Sequence, residues 1–321
     1  MSELPAEIES WIGEKRYEQV GEFDVERGYI FTSCASVENG NPLFWDEKAA
    51  RDLTDGWIAP PTMLSAWFRP HHWAPDRTET AQPLQVHFDL KERFGLPEAV
   101  MTDNTIVFGE PVRPGDRLET WQVLRSVSAI KRTKLGEGRF WVIDVEYQNQ
   151  RGAWVGTESY TGFGYNTDAS ETESGSKPEG RAARQSRAES NSKPEGRAAR
   201  QSRAESDSKP EGRAVRQSRA ESNERAEEIQ SGAPLPELAV DVSATTVVLG
   251  ALAARDWRPM HHDYDFAVNR NRVKNIFLNT PNQAAWFERY LTDWTGPEGR
   301  LGRIRFRMRD SVFPGDCMVF R

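Results

Sequence analysis

Asp256-Trp257-Arg258-Pro259-Met260-His261 sets a carboxylate and an imidazole five residues apart, the side chains that most often pass protons at neutral pH. An earlier stretch, Asn39-Gly40-Asn41-Pro42-Leu43-Phe44, keeps the proline spacing but offers an amide and a phenyl ring at those two positions. Neither can give or take a proton at neutral pH, so the later copy is equipped for acid–base chemistry and the earlier for shaping or binding. The competing reading is that Asp256 caps a short helix and His261 is a buried, satisfied histidine. His262 falls outside the spacing. His71-His72 has no carboxylate or cysteine cluster beside it, so no metal site is expected.

The resemblance between the two stretches continues along the chain, which marks a duplicated domain. Asp46 with Ala49-Ala50 answers Asp263 with Ala267, at the 217-residue offset of the first landmark. Ser65-Ala66-Trp67-Phe68 answers Ala284-Ala285-Trp286-Phe287 at an offset of 219, and Pro114-Gly115-Asp116 answers Pro314-Gly315-Asp316 at 200. The first copy therefore carries roughly twenty extra residues, around His71 to Pro97.

Elements that position these residues can be read from pattern. Gly28–Ser33 is a short apolar run suited to a strand, and Glu47–Leu53 a short helix. Thr62–Phe68, after Pro60-Pro61, reads as the start of a buried helix. Thr105–Phe108, Asp116–Arg125, Arg139–Gln148 and Ala153–Tyr165 are rich in Val, Tyr, Trp and Phe with rough alternation, as in antiparallel strands. One buried helix followed by long strands implies an α+β layout, a curved sheet wrapped around a central helix. In the second copy a helix begins near Asn279-Thr280-Pro281, with Asn279 or Thr280 as its N-cap.

The chain has 321 residues, a net charge of −7 and 37% hydrophobic content. That length suggests about two domains, and the charge makes nucleic acid a poor default partner. No stretch approaches the ~18 consecutive apolar residues of a membrane span, and the acidic N-terminus lacks the order of a signal peptide. Cys34 and Cys317 lie in different copies, which favours a reducing, cytoplasmic setting over a disulfide framework. Between the copies, SKPEGRAARQSRAESN begins at Ser176 and recurs at Ser192 and Ser208 with small changes, a period of 16. Such a segment buries too little apolar surface to offset its ordering entropy. The expected organisation is a first domain over 1–165, a disordered repeat linker over 166–232 and a second domain over 233–321.

The stretches GWIAPPTMLSAWF, ARDWRPMHHDYDFA and NTPNQAAWFERYLTDWTGPEGRLGRIRFRMRDSVFPGD resemble the MaoC-like acyl dehydratases and (R)-specific enoyl-CoA hydratases. The first copy resembles the dehydratase N-terminal domain that accompanies many of them. The resemblance implies two hot-dog domains acting on acyl thioesters of coenzyme A, with no cofactor beyond the coenzyme A of the substrate. It implies that Asp256 and His261 hold a water and share the proton transfers of hydration or dehydration. Arg258 stands where the family element usually has Asn. An oxyanion needs preorganised donors, and a helix start supplies free amides. The backbone N–H groups of Thr280, Asn282 and Gln283 are therefore expected to serve, Pro281 having none.

Arg270, Arg272 and Lys274 precede that helix and are candidates for coenzyme A phosphates. Arg303, Arg305, Arg307 and Arg309 alternate with Ile304, Phe306 and Met308, a strand with one basic and one apolar face. After Gly115 the first copy runs roughly fifty more residues, whereas six follow Gly315. The second hot-dog domain is therefore expected to be incomplete, either because the chain belongs to a longer protein or because a partner chain adds strands. Two functions follow: an enoyl-CoA hydratase or acyl dehydratase (a hydro-lyase), or a non-catalytic acyl-CoA-binding or stabilising subunit of a hetero-oligomeric hydratase. A thioesterase on the same fold is a weaker third. A homo- or hetero-oligomer of hot-dog domains is expected in either of the first two cases.

Overall fold

A computed structural model describes residues 4–75, 83–167 and 234–321, so residues 168–232 of the expected linker lie outside the described residues. The first stretch folds as α1 (Ala6–Glu9), β1 (Lys15–Val20), α2 (Arg27–Ser36), α3 (Pro42–Trp45), α4 (Glu47–Thr54) and a 3-10 helix, Pro61–Phe68. The second holds α5 (Gln85–Arg93), β2 (Glu98–Phe108), β3 (Leu118–Val127), β4 (Lys131–Thr133), β5 (Gly136–Asn149) and β6 (Trp154–Asn166). The third adds β7 (Leu238–Asp241), α6 (Ala244–Ala253), a 3-10 turn at Pro259–His261, α7 (Tyr264–Asn269), α8 (Thr280–Thr295), β8 (Arg303–Phe306) and β9 (Cys317–Phe320).

The chain thus mixes helix with antiparallel sheet, and the four expected strands overlap β2, β3, β5 and β6, with Asp116, Arg117 and Ala153 falling just outside. They form a sheet ordered β1-β3-β5-β6-β2-β8, with β4 paired to β5. The second copy enters that sheet through β8, which pairs antiparallel with β2 so that Ile304 faces Ile106. Ile304 is buried in the core with Met63, Leu64, Trp67 and Tyr147. On the basic face Arg305 and Arg307 both donate to Asp103 of β2. A smaller β7-β9 pair lies apart from the large sheet.

The expected strand at Gly28–Ser33 is instead the body of α2. Its buried residues are Tyr29, Ile30, Ser33 and Cys34, a spacing that lines one face of a helix and does not alternate as a strand would. The matching segment 217 residues later is α6, which starts and ends at the same offset. Local geometry repeats with it. The Asn39 amide donates to the Cys34 carbonyl at 2.8 Å, and the Asp256 amide to that of Ala251 at 2.9 Å. Asp46 caps α4 by accepting from the Ala49 amide, and Asp263 caps α7 by accepting from that of Phe266. Gly115 and Gly315 take φ of 87° and 93°, a region open mainly to glycine. The following Asp116 and Asp316 each accept from the amide three residues back, at 2.9 Å.

The Pro61–Phe68 helix lies against the sheet because β6 offers Gly156 there. A Cβ on Gly156 would sit 2.5 Å from Leu64 Cδ1. The helix buries Met63, Leu64 and Trp67 and contacts α8 of the other copy.

Candidate active site

Asp256 and His261 come together. Their nearest polar atoms, Asp256 Oδ2 and His261 Nε2, are 3.6 Å apart, and the residues are 4% and 3% exposed. The loop after α6 carries Asp256, and the Pro259–His261 turn, opened by a proline suited to a first helical turn, brings His261 back toward it. His261 Nδ1 lies 2.8 Å from the Phe277 carbonyl. A carbonyl only accepts, so Nδ1 carries hydrogen and, in the neutral ring, Nε2 presents a lone pair to Asp256. Burial, the largest influence, lowers the His261 pKa; the Asp256 charge and the Phe277 carbonyl oppose this, while Arg258 and Arg69 add to it. The resting ring is therefore neutral.

Asp256 is enclosed by donors. Arg258 grips it with a two-pronged fork, Nε to Oδ1 and Nη2 to Oδ2, both at 2.8 Å. Asn279 Nδ2 donates to Oδ2 at 3.2 Å, and Arg69 Nη1 from the first copy lies 3.3 Å from the same oxygen. Burial pushes the Asp256 pKa up, but the hydrogen bonds and charge of Arg258, then Arg69 and His261, outweigh it and hold the carboxyl well below its ordinary range. Here the position usually held by Asn instead supplies a cation that neutralises the carboxylate.

The flanking residues fix this loop to the first copy. The Arg255 guanidinium stacks 4.1 Å from the Phe23 ring and 3.9 Å from that of Tyr29, and Trp257 Nε1 donates to the Pro70 carbonyl at 2.7 Å. Sequence reading singled out Asp256 and His261 but missed Arg69, Asn279 as a donor to Asp256, and the Arg255 and Trp257 anchors. Their signal is tertiary, since Arg69 is 187 residues from Asp256 along the chain.

α8 begins beside the pair. Asn279 is its N-cap, accepting from the Asn282 amide at 3.1 Å, and the Gln283 amide donates to the Asn279 carbonyl at 3.1 Å. The cap thus uses two of the three amides expected to face an oxyanion and leaves Thr280, which is exposed. Arg270 and Arg272 are exposed near the end of α7. Lys274 lies 3.3 Å from Asp316 and 4.4 Å from the Phe313 ring centre, so its charge is already partnered. Cys34 and Cys317 are both free thiols. Among the described residues no helix is long and apolar enough to cross a membrane, and no group of three His, Cys, Asp or Glu could hold a metal ion.

The equivalent place in the first copy has no such pair. Asn39 and Phe44 are buried, and Asn39 Oδ1 accepts from the Asn41 amide at 3.1 Å.

Likeness to known proteins places the chain in a family. A model described as "FAS1-like, dehydratase domain region" matches residues 10–158. The chain is 38% identical over 89 residues to the 3-oxo-4,17-pregnadiene-20-carboxyl-CoA hydratase beta subunit of Mycobacterium tuberculosis, covering 28% of this chain and 68% of that protein. It is 30% identical over 156 residues to a protein of Thermomonospora curvata named a probable enoyl-CoA hydratase alpha subunit, covering 48% of this chain and 49% of that one. A solved MaoC-like dehydratase superposes with a TM-score of 0.59 at 16% identity, over 97% of this chain and 88% of its own. A MaoC-like dehydratase from Phytophthora capsici gives 0.56 at 13%, over 97% and 86%. The duplicated helices, the antiparallel sheet and these likenesses together make the chain a member of the MaoC-like, FAS1-type dehydratase family.

Proposed function

We propose that the chain hydrates a trans-2-enoyl thioester of coenzyme A to the 3-hydroxyacyl thioester, or runs the reverse dehydration, with Asp256 and His261 as its acid–base pair. The observation that carries this reading is the buried approach of the Asp256 carboxylate and the His261 imidazole at 3.6 Å, beside the start of α8. Both facing atoms are acceptors, and a gap beyond direct hydrogen-bonding range invites a bridging water. A water donating one hydrogen to the Asp256 carboxylate and the other to His261 Nε2 turns its own lone pairs outward. Its oxygen attacks C3 as Nε2 takes a proton; the double-bond electrons move to C2 and onto the thioester oxygen. The Thr280 amide at the α8 start stabilises that charge, and His261 returns the proton to C2. We read the chain as two hot-dog domains, over 1–165 and 233–321, with the first shaping the site of the second.

Arg258 favours a second reading. Its fork, with Asn279 and Arg69, makes four donor contacts on a carboxylate that has about four acceptor positions. Three of the four fall on Oδ2, the oxygen facing His261, which in that state has no position left for a water, as suits a subunit that binds acyl-CoA or stabilises a partner without turnover. Decay of the conjugated enoyl-thioester absorbance separates the two. Asp256→Asn and His261→Ala are each expected to lower turnover by about 10²–10⁴-fold. Tight acyl-CoA binding without turnover in the unaltered chain would establish the subunit reading.

A further inference from the structure

The offset of 219 that aligns Ser65–Phe68 with Ala284–Phe287 also aligns the next residues, Arg69 and Glu288. Each reaches into the other copy. Arg69 Nη1 lies 3.3 Å from Asp256 Oδ2 and donates to the Ala254 carbonyl at 3.3 Å. Glu288 Oε2 accepts from the Thr62 amide at 3.0 Å and from its hydroxyl at 2.5 Å, at the start of the Pro61–Phe68 helix. The copies therefore exchange one ionisable side chain from equivalent positions. Each group suits what it meets: Arg69 brings a cation to the Asp256 carboxylate, and Glu288 brings an acceptor to the Thr62 amide and hydroxyl.

We propose that Arg69 is a positioning residue for the Asp256–His261 pair, supplied by the copy that lacks the pair. This rests on the hydratase reading. Arg258 has a half-exposed side chain whereas that of Arg69 is 17% exposed, so Arg258 is the cation better placed to swing aside, which opens Oδ1 to a water. Arg69 and Asn279 then remain to hold the carboxylate ionised and aimed at His261. Arg69 is itself held among polar groups of the first copy. Its charge acts on Glu158 and Tyr160 of β6, Tyr147 of β5 and Tyr29 of α2. Glu158 is further held by the Tyr160 and Ser65 hydroxyls. The charged and titratable groups facing the pair are thus Arg258 on its own loop, Arg69 just after the 3-10 helix, and behind Arg69 the Glu158 carboxyl and the three tyrosines.

The full chain is compared with Arg69→Met and Arg69→Lys in two measurements. Crotonyl-CoA hydration is followed against pH, and the His261 Cε1 proton, assigned through a His261→Gln variant, is titrated by NMR. With Met, the acid limb of kcat/KM is expected to move up by about one unit, since loss of a cation beside His261 makes its imidazolium easier to form. The His261 midpoint is expected to rise as well, because the same cation disfavours the imidazolium, and Lys should restore much of both shifts. Unmoved His261 and an unmoved acid limb in a folded Met variant would overturn the proposal. If Met does not fold, Arg69→Gln carries the test: a raised His261 midpoint and a raised acid limb support it, and wild-type values overturn it. If the unaltered chain does not turn over crotonyl-CoA, the hydratase reading is what fails, while the His261 titration still decides whether Arg69 governs the pair.

Discussion

At Asp256 two requirements compete: a carboxylate buried this deeply needs partners, and a carboxylate that positions water needs a free lone pair. Arg258 satisfies the first at the expense of the second. Replacing it with the Asn usual at this position removes two of four donors and one of two cations. Arg258→Asn is expected to raise the Asp256 pKa toward the ordinary carboxylate range and to increase crotonyl-CoA turnover several-fold. A fall in turnover would show instead that the guanidinium contacts substrate. The neutral state of His261 has a matching consequence. Its lowered pKa leaves Nε2 able to accept a proton across the neutral range, so kcat/KM is expected to stay flat from pH 7 to 8 and fall only on acidification. A limb centred above pH 7 would contradict that.

Elements set the reach of these residues. α8 starts at the pair because Asn279 does two things at once: its oxygen caps the Asn282 amide and its nitrogen donates to Asp256. Asn279→Ala is expected to cost about 1 kcal/mol for the cap and more for the buried Asp256 contact, read as a lower urea midpoint. The approach of α6 to α8 depends on Gly250, where a Cβ would lie 2.4 Å from the Asn282 side chain. Alanine gains helix propensity of about 1 kcal/mol over glycine, yet Gly250→Ala is expected to destabilise, because crowding a packed contact costs about 1–3 kcal/mol. Higher stability in that variant would mean that Asn282 yields without cost.

Across the whole molecule, Glu288 ties the second copy to the first from a fully buried position, with Oε1 unpartnered. Burial raises its pKa from 4.5 to about 7, held back by the two Thr62 hydrogen bonds. The folded chain therefore keeps a proton that the unfolded chain releases, and stability falls as pH rises from about 4.5 through 7. The loss is on the order of 3 kcal/mol once Glu288 ionises. Glu288→Gln keeps an acceptor for Thr62 and removes the titration. It should match the unaltered chain near pH 5 and exceed it at pH 8 in thermal melting. Equal melting differences at both pH values would rule out Glu288 as the source.

The sequence alone determined the repeated landmarks, the long strands, the start of α8 and the choice of Asp256 and His261, which the fold brings to 3.6 Å. Each rests on residues close together in the chain: a proline-spaced element, alternating β-formers, an Asn-Thr-Pro cap. Only the tertiary structure decided the rest. Gly28–Ser33 has strand-forming residues, but burying Tyr29, Ile30, Ser33 and Cys34 together against the core requires a helix, since packing outweighs weak local preference. The cap itself took up two of the three amides expected to face an oxyanion, a competition visible only once Asn279 is placed. Arg69 lies far from Asp256 in sequence, and the exchange of charges between the copies arises from how the two central helices pack, which no local pattern encodes.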